Sequence, residues 1–355
     1  MSRKRQILLL GFAFLLTAAE DAVARGPFTV GTLMADPGKR VSGFLEVPAG
    51  VDAGTRIPVT LLHGANDGPV LALIAGTHGY EYAPIIALQK LRGQIDPAQL
   101  SGTVILVHVA NLPSFLGRTI YYSPVDGKNL NRVYPGKVDG TVSERIAYTI
   151  TTEIIERAHA VADLHCGDGN EALRPYTYWM KGGNATVDEG SRQMALAFGL
   201  DHIVIDTNRP ADPQASVYTA NTAITRGKPA ITTETGGLGD TRAEWVGLAE
   251  RGVWNLLRHF KMLPGEPARA EAVVWLDTYE VLRSPETGIF YAAVQPGHTV
   301  ARGALLGRLT DFFGNQLAEI RAPLAGVVNY VVATPPVSQG EPLAMVSHIL
   351  AEEGK

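Results

Sequence analysis

Between residues 70 and 259 the chain alternates short strand-like apolar runs with helix-like segments, and that alternation restricts the fold more than any other feature. Strands are expected at 70–75, 104–109, 160–164, 176–180, 202–206 and 230–233. Helices are expected at 84–92, 142–158 with Thr141 or Ser143 as cap, 188–198, 217–225 and 241–259. Strands joined through helices run parallel, and a parallel sheet is covered on both faces. The expected fold class is therefore α/β, a mixed and largely parallel central sheet flanked by helices. Upstream, β runs at 28–33, 40–47 and 56–63, broken by glycine and proline, predict an antiparallel lead-in, and 111–138 reads as a long loop. In open sheets of this kind ligands gather beyond the carboxyl ends of the strands, so residues just past those ends are the first candidates for a site.

The helical pattern stops at Pro264-Gly265-Glu266-Pro267, which reads as a linker. From 272 to 348 only β runs follow, with a faint internal repeat. Pro285-Glu286-Thr287-Gly288-Ile289 is echoed by Pro323-Leu324-Ala325-Gly326-Val327, and Val300-Ala301-Arg302-Gly303 by Val337-Ser338-Gln339-Gly340. Two similar halves predict a small C-terminal all-β sandwich or barrel. This tail resembles a biotinyl/lipoyl-type domain, but no lysine lies between Lys261 and Lys355 to carry such a group. A structural or access-restricting role is expected instead. The division expected is 1–24 as a leader, 25–264 as the main domain and 265–355 as the β domain.

The leader rests on Arg3-Lys4-Arg5, an apolar run from Ile7 to Leu16, and Ala22-Val23-Ala24, the pattern of a secretory signal cleaved after Ala24. That run is about half the ~20 residues a spanning helix needs, so no stable membrane span is expected after cleavage. A secreted or periplasmic location follows. With 355 residues, 46% of them hydrophobic and 19% charged, the chain is long enough for a large core. A net charge of −4 gives no basic face for nucleic acid, and any anionic ligand must be held by local arginines. The single cysteine, Cys166, has no internal disulfide partner and reads as a packing residue, with a role as ligand or nucleophile as the alternative. Composition leaves the oligomeric state open.

Four clusters sit where strand ends are expected. In Gly76-Thr77-His78-Gly79-Tyr80-Glu81, His78 and Glu81 are three apart at the start of a helix, so both can reach one ion. Asp163-Leu164-His165 supplies a third donor, and three protein ligands plus a water make a catalytic zinc site, with one Zn2+ per chain. Asp163 stands two residues from His165 on a strand, hence on the same face, where it can orient the imidazole from behind; the alternative is a solvated aspartate at the strand end. Zinc chemistry on a carbonyl needs a group that takes a proton from water and passes it to the leaving atom, and Glu234 is the candidate. Its alternative is a carboxylate that merely favours the following helix N-terminus. Asn131 and Arg132 offer an amide and a planar fork to a substrate carboxylate. Arg118 is either a surface residue or a group that binds a second anionic group or polarises the carbonyl oxygen. The remaining histidines, His63, His108, His159, His202, His259, His298 and His348, have no partner at ligand spacing and read as structural. Gly237-Leu238-Gly239 fails as a dinucleotide loop because Arg242 occupies the third glycine's place, and no Gly-x-Ser-x-Gly or phosphate loop occurs.

Taken together, Gly76-Thr77-His78-Gly79-Tyr80-Glu81, Asp126-Gly127-Lys128-Asn129-Leu130-Asn131-Arg132, Asp163-Leu164-His165 and Glu234-Thr235-Gly236 resemble the succinylglutamate desuccinylase/aspartoacylase family of zinc carboxypeptidase-like hydrolases. The resemblance spans roughly residues 55 to 345. It implies zinc on His78, Glu81 and His165, with Glu234 as base and Asn131 and Arg132 in the substrate pocket. It further implies a small N-acyl amino acid or similar carboxylate-bearing amide as substrate, and a β tail that narrows the entrance. A carboxypeptidase trimming small or cell-wall peptides, and a metal-bound binding protein without turnover, are the alternatives. The leader departs from the intracellular enzymes for which the family is named.

Overall fold

The computed structural model describes residues 25–351, so the expected leader, residues 1–24, lies outside the described residues. A 13-stranded mixed sheet takes its strands from Lys39–Val47 at one end of the chain to Pro342–Ile349 at the other. Its centre is parallel: Asn66–Ala75 lies between Ser101–Val107 and Ala160–His165, and Ala160–His165 pairs in turn with Ala230–Glu234. Along Asn66–Ala75, Val70, Ala72 and Ile74 point to one face and Leu71, Leu73 and Ala75 to the other. Both sets are buried, each large one contributing about 1.5–3 kcal/mol. The first face is covered by Val142–Ile150 and Thr219–Thr225; the second by Tyr82–Gln94, Ala185–Phe198 and Ala243–His259. No helix among the described residues is long and apolar enough to cross a membrane.

The structure departs from the sequence reading in several places. The 111–138 stretch is not all loop: Leu112–Gly117 is a helix, started by the Asn111 side chain accepting from the Ser114 N–H, and Leu130–Arg132 is a single tight turn. The helix at 142–158 is α-helical only to Ile150 and then widens into a π turn, Thr151–Ile155. At its start the Glu144 carboxylate accepts from the Thr141 N–H at 2.9 Å, which makes Thr141 the cap. Tyr176–Met180 runs antiparallel to Ala230–Glu234, so the parallel centre is interrupted on that side.

The tail is two β layers sharing one core that includes Phe290, Leu306, Leu309, Val328, Leu343 and Val346. Gly288–Ala292, from the first copy of the repeat, sits in a separate four-stranded sheet, while Gly326–Val332, from the second, joins the large one. Continuity comes from Val274–Arg283, which pairs parallel with His202–Asp206 on one side and antiparallel with Pro342–Ile349 on the other. A short strand the sequence did not announce, Glu171–Leu173, pairs with Gly326–Val332 and ties the tail to the loop following His165.

Candidate metal centre

The loop after Asn66–Ala75 is fixed by its backbone. Gly76 adopts φ +71°, and a Cβ there would lie 2.8 Å from the Val109 Cα; a Cβ on Gly79 would lie 2.4 Å from the Ser114 and Thr119 carbonyl oxygens. This close packing delivers Glu81 to the N-cap of Tyr82–Gln94, where the helix dipole favours a carboxylate. The Glu81 side chain does not cap that helix and turns instead toward two imidazoles.

His78 Nδ1 is 2.6 Å from Glu81 Oε1, and His165 Nδ1 is 2.8 Å from Glu81 Oε2. The second approach is not aligned as a hydrogen bond, which leaves Oε2 a buried oxygen with no partner. One donor atom from each of the three residues falls within 4.8 Å of the others, and all three residues are buried. The far nitrogens are held from behind: His78 Nε2 lies 3.1 Å from Asn129 Oδ1, and His165 Nε2 lies 2.9 Å from Asp163 Oδ2. Imidazoles fixed at Nε2, with Nδ1 converging on a carboxylate, fit a divalent cation of the zinc type. Burial alone would push the Glu81 carboxyl up, but the two imidazoles outweigh it and hold it down at about 2. Burial would likewise lower the His165 imidazole; Asp163 and Glu81 outweigh it and raise it well above the usual range.

Glu234 ends its strand directly beside His165 in the parallel register. Its Oε2 is buried without a partner, and burial pushes its carboxyl well above the carboxylate range. On its other side stands Tyr176, which is fully buried.

Asn131 is buried, and its amide is engaged at both ends. Oδ1 accepts from the Thr219 N–H at 2.9 Å, and Nδ2 lies 3.4 Å from Asp163 Oδ2 and 3.3 Å from His165 Nε2. Arg132 is exposed, donates to the Asn131 carbonyl at 2.7 Å and stacks over the Tyr218 ring at 4.6 Å. Arg118 caps Leu112–Gly117 in the left-handed conformation; it is exposed, and the structure shows no hydrogen bond or ion pair between it and the His78, Glu81 and His165 group. Cys166 packs among Ala83, Ala87, Val246 and Ala249, where burial pushes its thiol up. Among the other histidines, His63 bonds Thr103 and the Gly26 carbonyl, His108 bonds Thr60, and His159 accepts from the Val70 N–H.

Sequence reasoning gave no role to Asn129, Tyr121, Asp168, Glu171 or Tyr330. Tyr121, at φ +58°, sets its ring edge-on to His78 and donates from its hydroxyl to Glu171 at 2.8 Å. Burial raises the Asp168 carboxyl to about 6 and the Glu171 carboxyl to about 7. Tyr330 comes from the tail and pairs with Leu173. Asn129 alone had a signal, its place two residues before Asn131 in a motif already singled out.

A large mixed sheet with a buried His, Glu, His donor set at its strand ends, and a carboxyl beside it, is an arrangement that could hold a divalent cation next to a proton-transferring group. Residues 67–260 match the model of the succinylglutamate desuccinylase/aspartoacylase catalytic domain, and the chain belongs to that family. It is 31% identical over 324 residues to the N-alpha-acetyl-L-2,4-diaminobutyric acid deacetylase of Halomonas elongata, covering 88% of this chain and 92% of that one. Among solved structures, a succinylglutamate desuccinylase from Silicibacter sp. superposes with a TM-score of 0.80 at 26% identity, covering 92% and 99% of the two chains. The product-bound ectoine utilization protein EutE (DoeB) from Ruegeria pomeroyi does so with a TM-score of 0.80 at 28% identity, covering 91% and 99%. The family and the deacetylase relative support an amide-bond hydrolase acting on N-acyl amino acids.

Proposed function

We propose that this protein is a zinc-dependent deacylase that removes the acyl group from a small N-acyl amino acid. One observation carries the reading: the Nδ1 atoms of His78 and His165 converge on the two oxygens of Glu81 while both Nε2 atoms are occupied from behind. A bound zinc ion would polarise the amide carbonyl and lower the pKa of its water toward ~7. Its positive charge would also draw the Glu234 carboxyl back down from the range to which burial lifts it. Glu234 then takes a proton from the attacking water and returns it to the leaving nitrogen. Arg132 has donors to spare for the substrate carboxylate, and Asn131 holds His165 and Asp163 in register beside it.

The tail acts as a wall, since it brings Tyr330 next to Glu171–Leu173 beyond His165 and has no lysine between Lys261 and Lys355 to carry a prosthetic group. The leader-like residues 1–24 support a secreted or periplasmic location, which cell fractionation tests. The activity is tested by metal analysis of the purified protein, followed by a panel of N-acyl amino acids and dipeptides, with the acetylated diamino acid of the Halomonas elongata enzyme's name tried first. About one zinc per chain and release of free amino acid from the N-acyl compounds are expected. Cleavage of dipeptides alone would make it a carboxypeptidase, and tight metal with no turnover a binding protein.

A further inference from the structure

A strand at the edge of a sheet carries a row of unpaired backbone N–H and C=O groups, and folded chains blunt such edges by keeping them short, bulged or broken by proline. Most edges of this protein follow that rule. One end of the 13-stranded sheet is made by Thr299–Val300 and Glu171–Leu173, two and three residues long. In the four-stranded sheet, Pro336–Val337 is two residues long and begins with proline, and the pairing of Gln316–Arg321 with Leu305–Thr310 is broken by two register shifts.

Lys39–Val47, at the other end of the large sheet, is the exception. It runs for nine residues without proline, and its register with Thr55–His63 is unbroken, from Lys39 opposite His63 to Val47 opposite Thr55. Among the described residues no strand pairs with its outer side. A Cβ on Gly43 would lie 2.5 Å from Leu33 Cδ2, so the middle of the strand carries no side chain to hold a neighbour off. Arg40 and Glu46, equally far from Gly43 on either side, are both exposed. Arg40 makes one hydrogen bond, to the Ile95 carbonyl at 2.9 Å, and neither residue forms an ion pair among the described residues. Phe44 is exposed on the same face, with the Arg56 guanidinium 4.1 Å from its ring centre.

Laid antiparallel on itself with Gly43 on a two-fold axis, this strand is self-complementary. Arg40 of each copy meets Glu46 of the other, Val41 meets Leu45, and Ser42 meets Phe44, with like faces together. A shift of one residue would set core-facing side chains beside solvent-facing ones, and a shift of two takes Arg40 away from Glu46. In the unshifted register each Phe44 also lies diagonal to the other, within reach of a ring contact. We infer that the Lys39–Val47 edge docks a second copy of this chain in that register, giving a dimer whose two large sheets are continuous. The free backbone groups supply the hydrogen bonds, and the charge pairs set the register. Thr55–His63 and Ser101–Val107 stand between this edge and Asn66–Ala75, so the dimer leaves the metal centre untouched and holds whatever the reaction.

Analytical ultracentrifugation of the purified protein should show a dimer in reversible exchange with monomer. Glu46→Arg sets arginine against arginine at both pairs, and Arg40→Glu sets glutamate against glutamate. Each should raise the dimer dissociation constant by roughly 10- to 100-fold. Mixed in equal amounts, the two variants regain opposite charges at both positions, and heterodimers should form with close to wild-type affinity. Both side chains are exposed, so thermal melting and metal content per chain should match the wild type. A wild type still monomeric at about 100 μM would overturn the inference. Single variants that dimerise like the wild type, or a mixture that stays dissociated, would overturn it as well. If either variant misfolds, hydrogen exchange of the wild type decides: protection of amides in 40–46 that is lost on dilution supports the edge, and exchange independent of concentration counts against it.

Discussion

Replacing Asp163 by Asn removes one charge from behind the metal centre while keeping its shape. Asp163 is fully buried, and its Oδ2 is 2.9 Å from His165 Nε2. An amide oxygen can still accept from that nitrogen, but it no longer makes the imidazole more basic at Nδ1. Losing an outer partner of this kind costs about 10- to 100-fold in metal affinity, or ~1.4–2.7 kcal/mol. A second effect works the other way. Burial would lower the His165 imidazole, but Asp163 and Glu81 outweigh it and raise it, so a proton competes with zinc for that ring. The neutral amide weakens that competition, which trims the loss toward the lower half of the range, roughly 10- to 30-fold near neutral pH. The same argument predicts that wild-type affinity rises with pH more steeply than the variant's. Zinc titration against a competing chelator at several pH values, with thermal melting as the folding control, measures both. A folded variant that binds zinc within twofold of the wild type would refute the reasoning.

Three further perturbations bear on other parts of the site and fold. Glu234→Gln should leave zinc content unchanged and lower kcat by roughly 10²- to 10⁴-fold; turnover above a tenth of wild type would remove Glu234 from proton transfer. Arg132→Ala should raise KM by roughly 10- to 100-fold, as expected for a charged hydrogen bond of about 1.5–3 kcal/mol, with Arg132→Lys only partly restoring it; an unchanged KM argues against a carboxylate at that position. Glu144→Gln keeps an amide oxygen for the Thr141 N–H but loses the charge on that bond and the ion pairs with Lys128 at 2.9 Å and Lys137 at 3.4 Å, which solvent around the two lysines screens. Up to about 1 kcal/mol of stability should go, read as a lower Tm at pH 7. Burial would raise the Glu144 carboxyl, but the Thr141 and Lys128 contacts outweigh it and depress it to about 2. The wild-type advantage is therefore complete above the ordinary carboxylate range and should fade as pH falls from about 4.5 toward 2. A Tm gap that persists undiminished at pH 2 would contradict that assignment.

The central layer was legible because burial on both faces writes itself into local sequence: residues 70–75 are apolar without a break, and His78 and Glu81 follow at helical spacing. What was not legible depends on pairings between distant segments. Glu171–Leu173 is too short to show a period of two and exists as a strand because Gly326–Val332 lies alongside it. Likewise Val274–Arg283 reads as the start of a separate β unit, and only its parallel pairing with His202–Asp206 makes the sheet continuous. Tyr121 reaches the centre through a left-handed backbone position that no spacing rule assigns to a tyrosine. For Asn131 the residue type was legible but its partners were not, since Thr219 and Asp163 approach it from separate segments of the chain.

Because Gly326–Val332 holds Glu171–Leu173 in place and carries Tyr330, the chain cannot be trimmed at residue 264 to give a smaller catalyst. The segment Glu171–Leu173, just past His165, would lose its pairing strand with the discarded piece. On the proposed reading the tail is also a place to retune selectivity: exchanging it between relatives would remodel the surroundings of that segment while His78, Glu81 and His165 stayed on the strands and loop that carry them.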